Sequence, residues 1–274
     1  MTDSGYKINY KGSSYSKFRP SYSDKLFSII YDFHQTGFDL AIDDGTGTGQ
    51  VASVLADKFK QVVGIDYLPQ MVESAIKRDN ITYKVGKAED LSAFKDNSVD
   101  LITSATAFHW FDHEAFFKEA KRVLKPSGTL AVFSYYYGLI KDNDEASAIV
   151  STANNKLHKH YVDEKIKYVA NLYRDIQFPF DEQKWYITPK KLDTTNISQP
   201  IDGSLLEATM TAQKFNDYMK TSSAYTNFSK TLKDSDIDPI DTMTEDVMKV
   251  LNLTDKDQSL QVEWPFVLVL CRKT

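Results

Sequence analysis

A doubly wound, mostly parallel α/β sheet is the fold this sequence predicts, and three observations carry the prediction. Strand-length apolar runs alternate with helical stripes from residue 25 to residue 134. The run Leu40-Ala41-Ile42 stops at two carboxylates, Asp43 and Asp44, and then at three glycines spaced two apart, Gly45, Gly47 and Gly49. All of the 11 glycines except Gly203 lie at or before Gly138, so the character of the chain changes there.

The elements follow in order. Asp24 reads as the cap of a helix from Lys25 to about Gln35, with Leu26, Phe27, Ile30 and Phe33 as its buried stripe and Gly37 as its stop. Phe38–Ile42 is the first strand, its apolar run Leu40–Ile42 reading as buried and parallel. After the glycines, Gln50–Phe59 sets Val51, Val54, Leu55 and Phe59 on one helical face. Gln61–Ile65 is the second strand, ended by Asp66, and Pro69 opens a helix with Met71, Val72, Ala75 and Ile76 inward. Ile81–Val85 and Val99–Thr103 are the third and fourth strands. Asp112 caps a helix whose stripe is Phe116, Phe117, Ala120, Val123 and Leu124, closed by Lys125-Pro126-Ser127-Gly128, and Thr129–Phe133 is the fifth strand. Beyond it, Asp142 to about Arg174 reads as one or two helices, Trp185–Thr188 as a short strand and Lys214–Ser222 as a helix. Val262–Cys271, interrupted by Pro265, reads as a terminal strand. With no internal repeat and no low-complexity linker, residues 1–274 are expected to form a single domain.

Composition narrows the partners. A net charge of −5 supplies no basic field for nucleic acid. No apolar run approaches the ~20 residues of a membrane span, and Met1–Gly12 lacks the apolar core of a signal peptide. The single cysteine, Cys271, excludes an internal disulfide and fits the cytoplasm. Oligomeric state is not readable from the sequence.

Strand, glycine loop and helix together build a nucleotide-cofactor site at the mouth of a parallel sheet. The loop alone leaves the cofactor open. Gly47-Thr48-Gly49-Gln50-Val51-Ala52 satisfies the G-x-G-x-x-A fingerprint of dinucleotide sites, with Asp66 near the ribose position, so an NAD-linked oxidoreductase is one reading. Three features favour another. Asp43, at the end of the first strand, would attract a cationic amino group and repel a pyrophosphate. Gly86-Lys87-Ala88-Glu89-Asp90-Leu91 puts an acid within reach of an adenine amino group. Ser104 to Asp112 brings the aromatic cluster Phe108-His109-Trp110-Phe111 to the sheet's carboxyl edge. A cofactor carrying an amino acid, a ribose and an adenine suits all three: S-adenosylmethionine.

On these residues the chain resembles the class I methyltransferases, and more narrowly the trans-aconitate methyltransferase-like group of bacteria and yeasts. The likeness is carried by Asp43-Asp44-Gly45-Thr46-Gly47-Thr48-Gly49, Gly64-Ile65-Asp66, Met71, Ala88 to Leu91, Ala107 to Asp112 and Leu124 to Thr129. It extends to Tyr15-Ser16-Lys17-Phe18-Arg19-Pro20-Ser21-Tyr22 upstream, and to Phe215–Phe228 and Val262-Glu263-Trp264 downstream. It is weakest between 138 and 205. Two departures stand out: Asp44 replaces a usually apolar residue, and Ser222 and Phe228 occupy positions that are often tryptophan in the yeast members.

The resemblance implies a seven-stranded Rossmann-like methyltransferase sheet with helical additions in the second half. Residues 1–23 would be a lid, 24–137 the cofactor-binding core, 138–205 a variable substrate-pocket insertion, and 206–274 the helix and strands completing the sheet. It implies methyl transfer from S-adenosylmethionine, leaving S-adenosylhomocysteine, to a small molecule, chiefly O-methylation of a carboxylate. A hydroxyl or other nucleophile is the alternative acceptor, and a catalytically inert cofactor-binding protein the alternative of another class. Gly45 and Gly47 would let the backbone pass close to the cofactor's methionine part, with Asp43 neutralising its ammonium. Asp66 would accept both ribose hydroxyls; Tyr67 and Met71 would pack on the adenine, and Ala88 and Glu89 would meet its edge. Thr46, Ser104, Ala105 and Tyr15 complete the expected cofactor contacts. His109, Trp110 and Arg19 would surround the transferring methyl, His109 shaping the pocket or serving as a base. Arg19, by paired hydrogen bonds, together with Tyr22, Tyr135, Tyr136 and Tyr225, would hold the acceptor. No metal site is implied: His158-Lys159-His160 lacks acids or cysteines at ligand spacing and reads as a solvated helix face.

Overall fold

The computed structural model describes residues 20–161, 163–233 and 236–274. Its large sheet has seven strands: β1 Leu40–Asp44, β2 Gln61–Asp66, β3 Ile81–Val85, β4 Val99–Ala105, β5 Leu124–Tyr135, β7 Glu182–Thr188 and β10 Phe266–Arg272. They lie in the order β3-β2-β1-β4-β5-β10-β7. β10 pairs antiparallel with both of its neighbours and alone runs against the others. The chain leaves β1 toward β2 and β3, then returns to place β4 on the other side of β1. That reversal opens the crevice in which such sheets bind ligands, beyond the carboxyl ends of the strands.

The crossovers are helices whose apolar stripes cover both faces. On one side are α1 Asp24–Phe33 and α2 Gln50–Leu55, packed with Ala41, Val62, Leu101 and Phe133. On the other is α4 His113–Val123, whose Phe116, Phe117, Ala120 and Val123 pack on Ile42, Ile102, Leu130 and Val132. Asp112 caps α4 by accepting from the Ala115 amide at 3.1 Å, a bond of the kind whose loss costs about 1 kcal/mol. α3 Pro69–Glu73 begins, as expected, at its proline.

Several sequence expectations shift. α1 is capped by Ser23, whose hydroxyl accepts from the Leu26 amide at 3.3 Å, while Asp24 sits in the first turn. α2 ends at Leu55, four residues early, and α3 spans only five residues, which leaves Ile76 exposed. The expected terminal strand is two strands. β9 Ser259–Glu263 belongs to a second sheet with β6 Leu139–Ile140 and β8 Glu207–Thr211, ordered β6-β9-β8. Trp264-Pro265 then carries the chain into β10 of the large sheet. Pro265 has no amide hydrogen to extend a ladder, and Trp264, fully buried, plugs the junction.

Helices built by the second half stand over the small sheet and the carboxyl edge of the large one: α5 Asp144–Leu157, α6 Ile166–Ala170, α7 Ala212–Lys220, α8 Ser223–Ser229 and α9 Pro239–Val250. The last two were not anticipated. Among the described residues, no helix is long and apolar enough to cross a membrane. Cys271 is buried within β10, and burial pushes its thiol pKa up.

Candidate active site

The glycine loop is held from beneath by Asp43. One of its oxygens accepts from Thr46 Oγ1 at 2.6 Å and the Ala52 amide at 3.2 Å, and the other from Thr103 Oγ1 at 2.8 Å. Burial raises the Asp43 pKa to about 6 against the pull of these donors. Its charge therefore reaches the crevice as a field from behind the loop. Gly45, Gly47 and Gly49 all take positive φ, +74°, +56° and +82°. A Cβ on Gly45 would stand 2.3 Å from that of Ala107, whereas one on Gly47 would meet nothing within 4 Å and point into open space. The Gly45 and Thr46 amides donate to the Ile65 carbonyl at 2.8 and 2.9 Å, stitching the loop to β2.

Asp66, at the end of β2, accepts from the Gly47 amide at 2.8 Å with one oxygen and the Leu68 amide at 2.9 Å with the other. Each oxygen keeps a lone pair, so the carboxylate can still take two hydroxyls. Burial raises its pKa.

A cavity of about 640 Å³ opens along this edge. Its walls include Asp43 to Thr48, Asp66-Tyr67-Leu68, Met71, Gly86 to Glu89, Ala105 to Ala107 and His109 to Phe111. Of the expected cofactor contacts, Asp43, Gly45, Thr46, Gly47, Asp66, Tyr67, Met71, Ala88, Glu89 and Ala105 thus converge on one space. Glu89 accepts from the Asp112 amide at 2.7 Å, which ties the loop after β3 to the start of α4. Ser104 is not among the lining residues; it is buried within β4, below the rim.

The second half supplies the far wall: Tyr135-Tyr136-Tyr137, Asn154, Tyr161, Asp163, Lys165 to Val169 in part, and Tyr218 to Ser223 in part. Tyr22 closes over it, its hydroxyl 2.9 Å from Thr106 Oγ1 and its ring edge-on to Phe133 at 5.1 Å. Asn154 donates to the Tyr136 hydroxyl at 3.3 Å, and Trp264 Nε1 to that of Tyr218 at 2.7 Å. His109 lies on a 3-10 turn, Phe108–Trp110, 4% exposed, with Nδ1 3.3 Å from the Tyr173 hydroxyl. Burial drives its pKa down to about 3. Trp110 covers it at 4.6 Å between ring centres, and the Trp110 carbonyl accepts from Lys165 Nζ at 2.9 Å.

Tyr225 is not brought to the cavity. Its hydroxyl is turned to the Asp238 carboxylate, beside Lys220, on the outer side of α8. Ser222 lines the space as the cap of α8, while Phe228 packs edge-on to His160 instead. Arg19, Tyr15 and most of the expected lid lie outside the described residues. Asn154, Tyr161, Asp163 and Lys165 carry no spacing that marks them in the sequence, and only the boundaries of the 138–205 segment point to that part of the wall; Tyr218 falls within the Phe215–Phe228 likeness without being assigned a role.

The residues fit S-adenosylmethionine on structural grounds. A carboxylate with two open lone pairs stands at the ribose position, the loop presents a glycine with empty space where a Cβ would be, and the cationic group would face several carboxylates. Comparison with known proteins agrees. A family model described as a methyltransferase domain matches residues 42–132. A Dictyostelium discoideum protein named as a methyltransferase is 32% identical, over 97% of this chain and 95% of its own. A Saccharomyces cerevisiae protein named as an S-adenosylmethionine-dependent methyltransferase is 26% identical, over 97% and 96%. A solved structure from Anaeromyxobacter dehalogenans, described as a type II methyltransferase, superposes with a TM-score of 0.73 at 25% identity, over 93% of this chain and 98% of that one. The fold is shared with Haemonchus contortus phosphoethanolamine N-methyltransferase 2 holding S-adenosylhomocysteine, at TM-score 0.50 and 17% identity over 97% and 58%. The chain belongs to the class I S-adenosylmethionine-dependent methyltransferases, and S-adenosylmethionine is its cofactor.

Proposed function

We infer that this methyltransferase forms a methyl ester on a carboxylate of a small anionic metabolite, in the manner of the trans-aconitate methyltransferase-like group. His109 is the observation that carries this reading. It faces the cavity but is buried and held neutral, with a pKa near 3. So weak a base does not take a proton from an alcohol or phenol near pH 7. A carboxylate arrives already ionised and needs only alignment and removal from water. The cofactor supplies an electrophilic methyl on a sulfonium; the chain supplies the cage. On the acceptor side that cage offers the Tyr136, Tyr137 and Ser222 hydroxyls, the Asn154 amide and the Lys165 ammonium, with Asp163 as the acid on the same wall. Arg19 is the expected further cation.

On this reading residues 24–137 are the cofactor-binding core, whose end at Tyr136 and Tyr137 meets the acceptor, residues 138–205 are the substrate-pocket insertion, residues 206–274 complete the sheet, and residues 1–23 are the expected lid, within one domain of a cytoplasmic enzyme. The test is turnover with methyl-labelled S-adenosylmethionine against di- and tricarboxylic acids, phenols, alcohols and amines. An ester is expected, recognised because mild alkali releases its label as methanol. An alkali-stable product from a phenol or an amine would overturn the carboxylate reading.

A further inference from the structure

β1 ends in two carboxylates that project to opposite faces of the sheet, as alternate strand residues must. Asp43 is met by three donors. Asp44 finds none of normal geometry among the described residues: both of its oxygens are buried without a hydrogen-bond partner, only the Gly45 amide lies near enough to pull its pKa down, and the residue is 1% exposed. The amide that follows it, Gly45 N–H, is given to the Ile65 carbonyl at 2.8 Å. Continuing the register Asp43↔Thr103 sets Ser104 beside Asp44, and the Ser104 hydroxyl is likewise buried without a partner. The same face carries Ile42, Ile65, Ala88 and Phe111. Asp44 nevertheless lines the cofactor cavity.

The charged groups around it are mostly of its own sign. Asp43 stands beside it on β1, Asp66 at the end of β2 and Glu89 after β3. After β4, His109 and His113 have their pKa values lowered by burial. Lys87, after β3, lines the cavity but is solvent-exposed and makes no ion pair with Asp44 among the described residues. A buried carboxylate without a donor or a cation takes up a proton rather than stay charged. Burial, and then Asp43 and Glu89, push the Asp44 pKa well above the usual carboxylate range.

We propose that Asp44 is a charge sensor in the cofactor cavity. It ionises beside the sulfonium of S-adenosylmethionine and is reprotonated with S-adenosylhomocysteine, so the site holds the substrate form more tightly than the product. The two ligands share an ammonium and a carboxylate; they differ by the methyl and one positive charge on sulfur. When the methyl leaves, the electron pair of the broken S–C bond stays on sulfur and the cavity loses that charge. Asp44 gives its proton to solvent as the charged form binds and recovers one after transfer, so the cycle is balanced. The contribution is electrostatic across a water-poor space and requires no direct contact.

Titration calorimetry of both ligands at pH 7, in phosphate and in Tris, reads affinity and proton exchange together. The native protein is expected to release more protons with S-adenosylmethionine than with S-adenosylhomocysteine. In Asp44→Asn and Asp44→Leu that difference should shrink to whatever Asp43, Asp66 and Glu89 contribute, and the preference for the sulfonium form should fall about tenfold. Equal proton release for the two ligands in the native protein would overturn the proposal, as would an unchanged affinity ratio in a folded variant. Should neither variant fold, equal proton release for the two ligands in the native protein still overturns the proposal. Asp43, Asp66 and Glu89 are intact in both variants, so any proton exchange of theirs persists and is separated.

Discussion

At Asp66 each oxygen already holds a loop amide, so the carboxylate is pre-oriented for a paired contact with two hydroxyls. Charge-assisted hydrogen bonds are worth roughly 1.5–3 kcal/mol each. Asp66→Ala is expected to weaken S-adenosylhomocysteine binding at least tenfold, measured by equilibrium titration, while the circular dichroism spectrum is retained. His109 gives the opposite expectation. If the acceptor is a carboxylate, His109→Gln should change kcat by less than about fivefold, because no proton moves at the ring. Its pKa, lowered to about 3 by burial, has a consequence for stability. The unfolded chain binds a proton at this histidine below ~6.5 and the folded chain does not. The stability it allows is therefore full above pH 6.5 and declines as pH falls toward 3. Thermal melts should show the His109→Gln variant losing less stability than the native protein between pH 7 and pH 4.

The glycine loop is the element on which the site turns, and it was legible because its signal is short-range: three glycines two apart after an apolar strand. Its positions are not equivalent. Gly45→Ala adds a Cβ 2.3 Å from that of Ala107 at a φ of +74°, and should lower Tm and abolish cofactor binding together. Gly47→Ala has space, so the fold should lose only the roughly 1–2 kcal/mol of a left-handed alanine. Its methyl then stands in the cavity, and binding should weaken in a protein that melts nearly normally. Equal losses of Tm in the two variants would show that the clash at Gly45 is relieved elsewhere. Other elements were opaque for physical reasons. The apolar run from Val262 to Cys271 hides a change of sheet that Pro265 alone marks, since its pairing partners lie far away in sequence. β6 has two residues, too few for any period. Tyr225 matched a family pattern, yet its hydroxyl is claimed by Asp238, thirteen residues on, the cap of α9, a helix absent from the sequence reading.

For the molecule as a whole, the two sheets meet at Trp264. Its indole N–H donates to the Tyr218 hydroxyl at 2.7 Å, and Tyr218 lines the cavity wall proposed above for the acceptor. Trp264→Phe keeps most of the packing and removes the donor, at a cost of about 1–3 kcal/mol for the altered buried contact. The expected result is a several-fold rise in KM for the acceptor with S-adenosylhomocysteine affinity unchanged; a fall in cofactor affinity of the same size would place Tyr218 on the wrong half of the cavity. The site is thus held together by a long-range tie that no local pattern of residues announced.

β10 is the last strand along the chain, yet it lies inside the sheet, with β5 on one flank and β7 on the other. All seven of its residues are buried, and among the described strands β7 pairs only with β10, meeting Ser198 besides through a single bridge at Trp185. During synthesis, then, the strands that precede it wait with two open edges until residues 266–272 leave the ribosome. Chains dominated by such distant pairings fold slowly, because loop closure precedes the contacts that reward it. The cavity wall tied to that strand through Trp264 is expected to close in the same late event, so a nascent chain carrying every residue of the glycine loop would still lack part of its site.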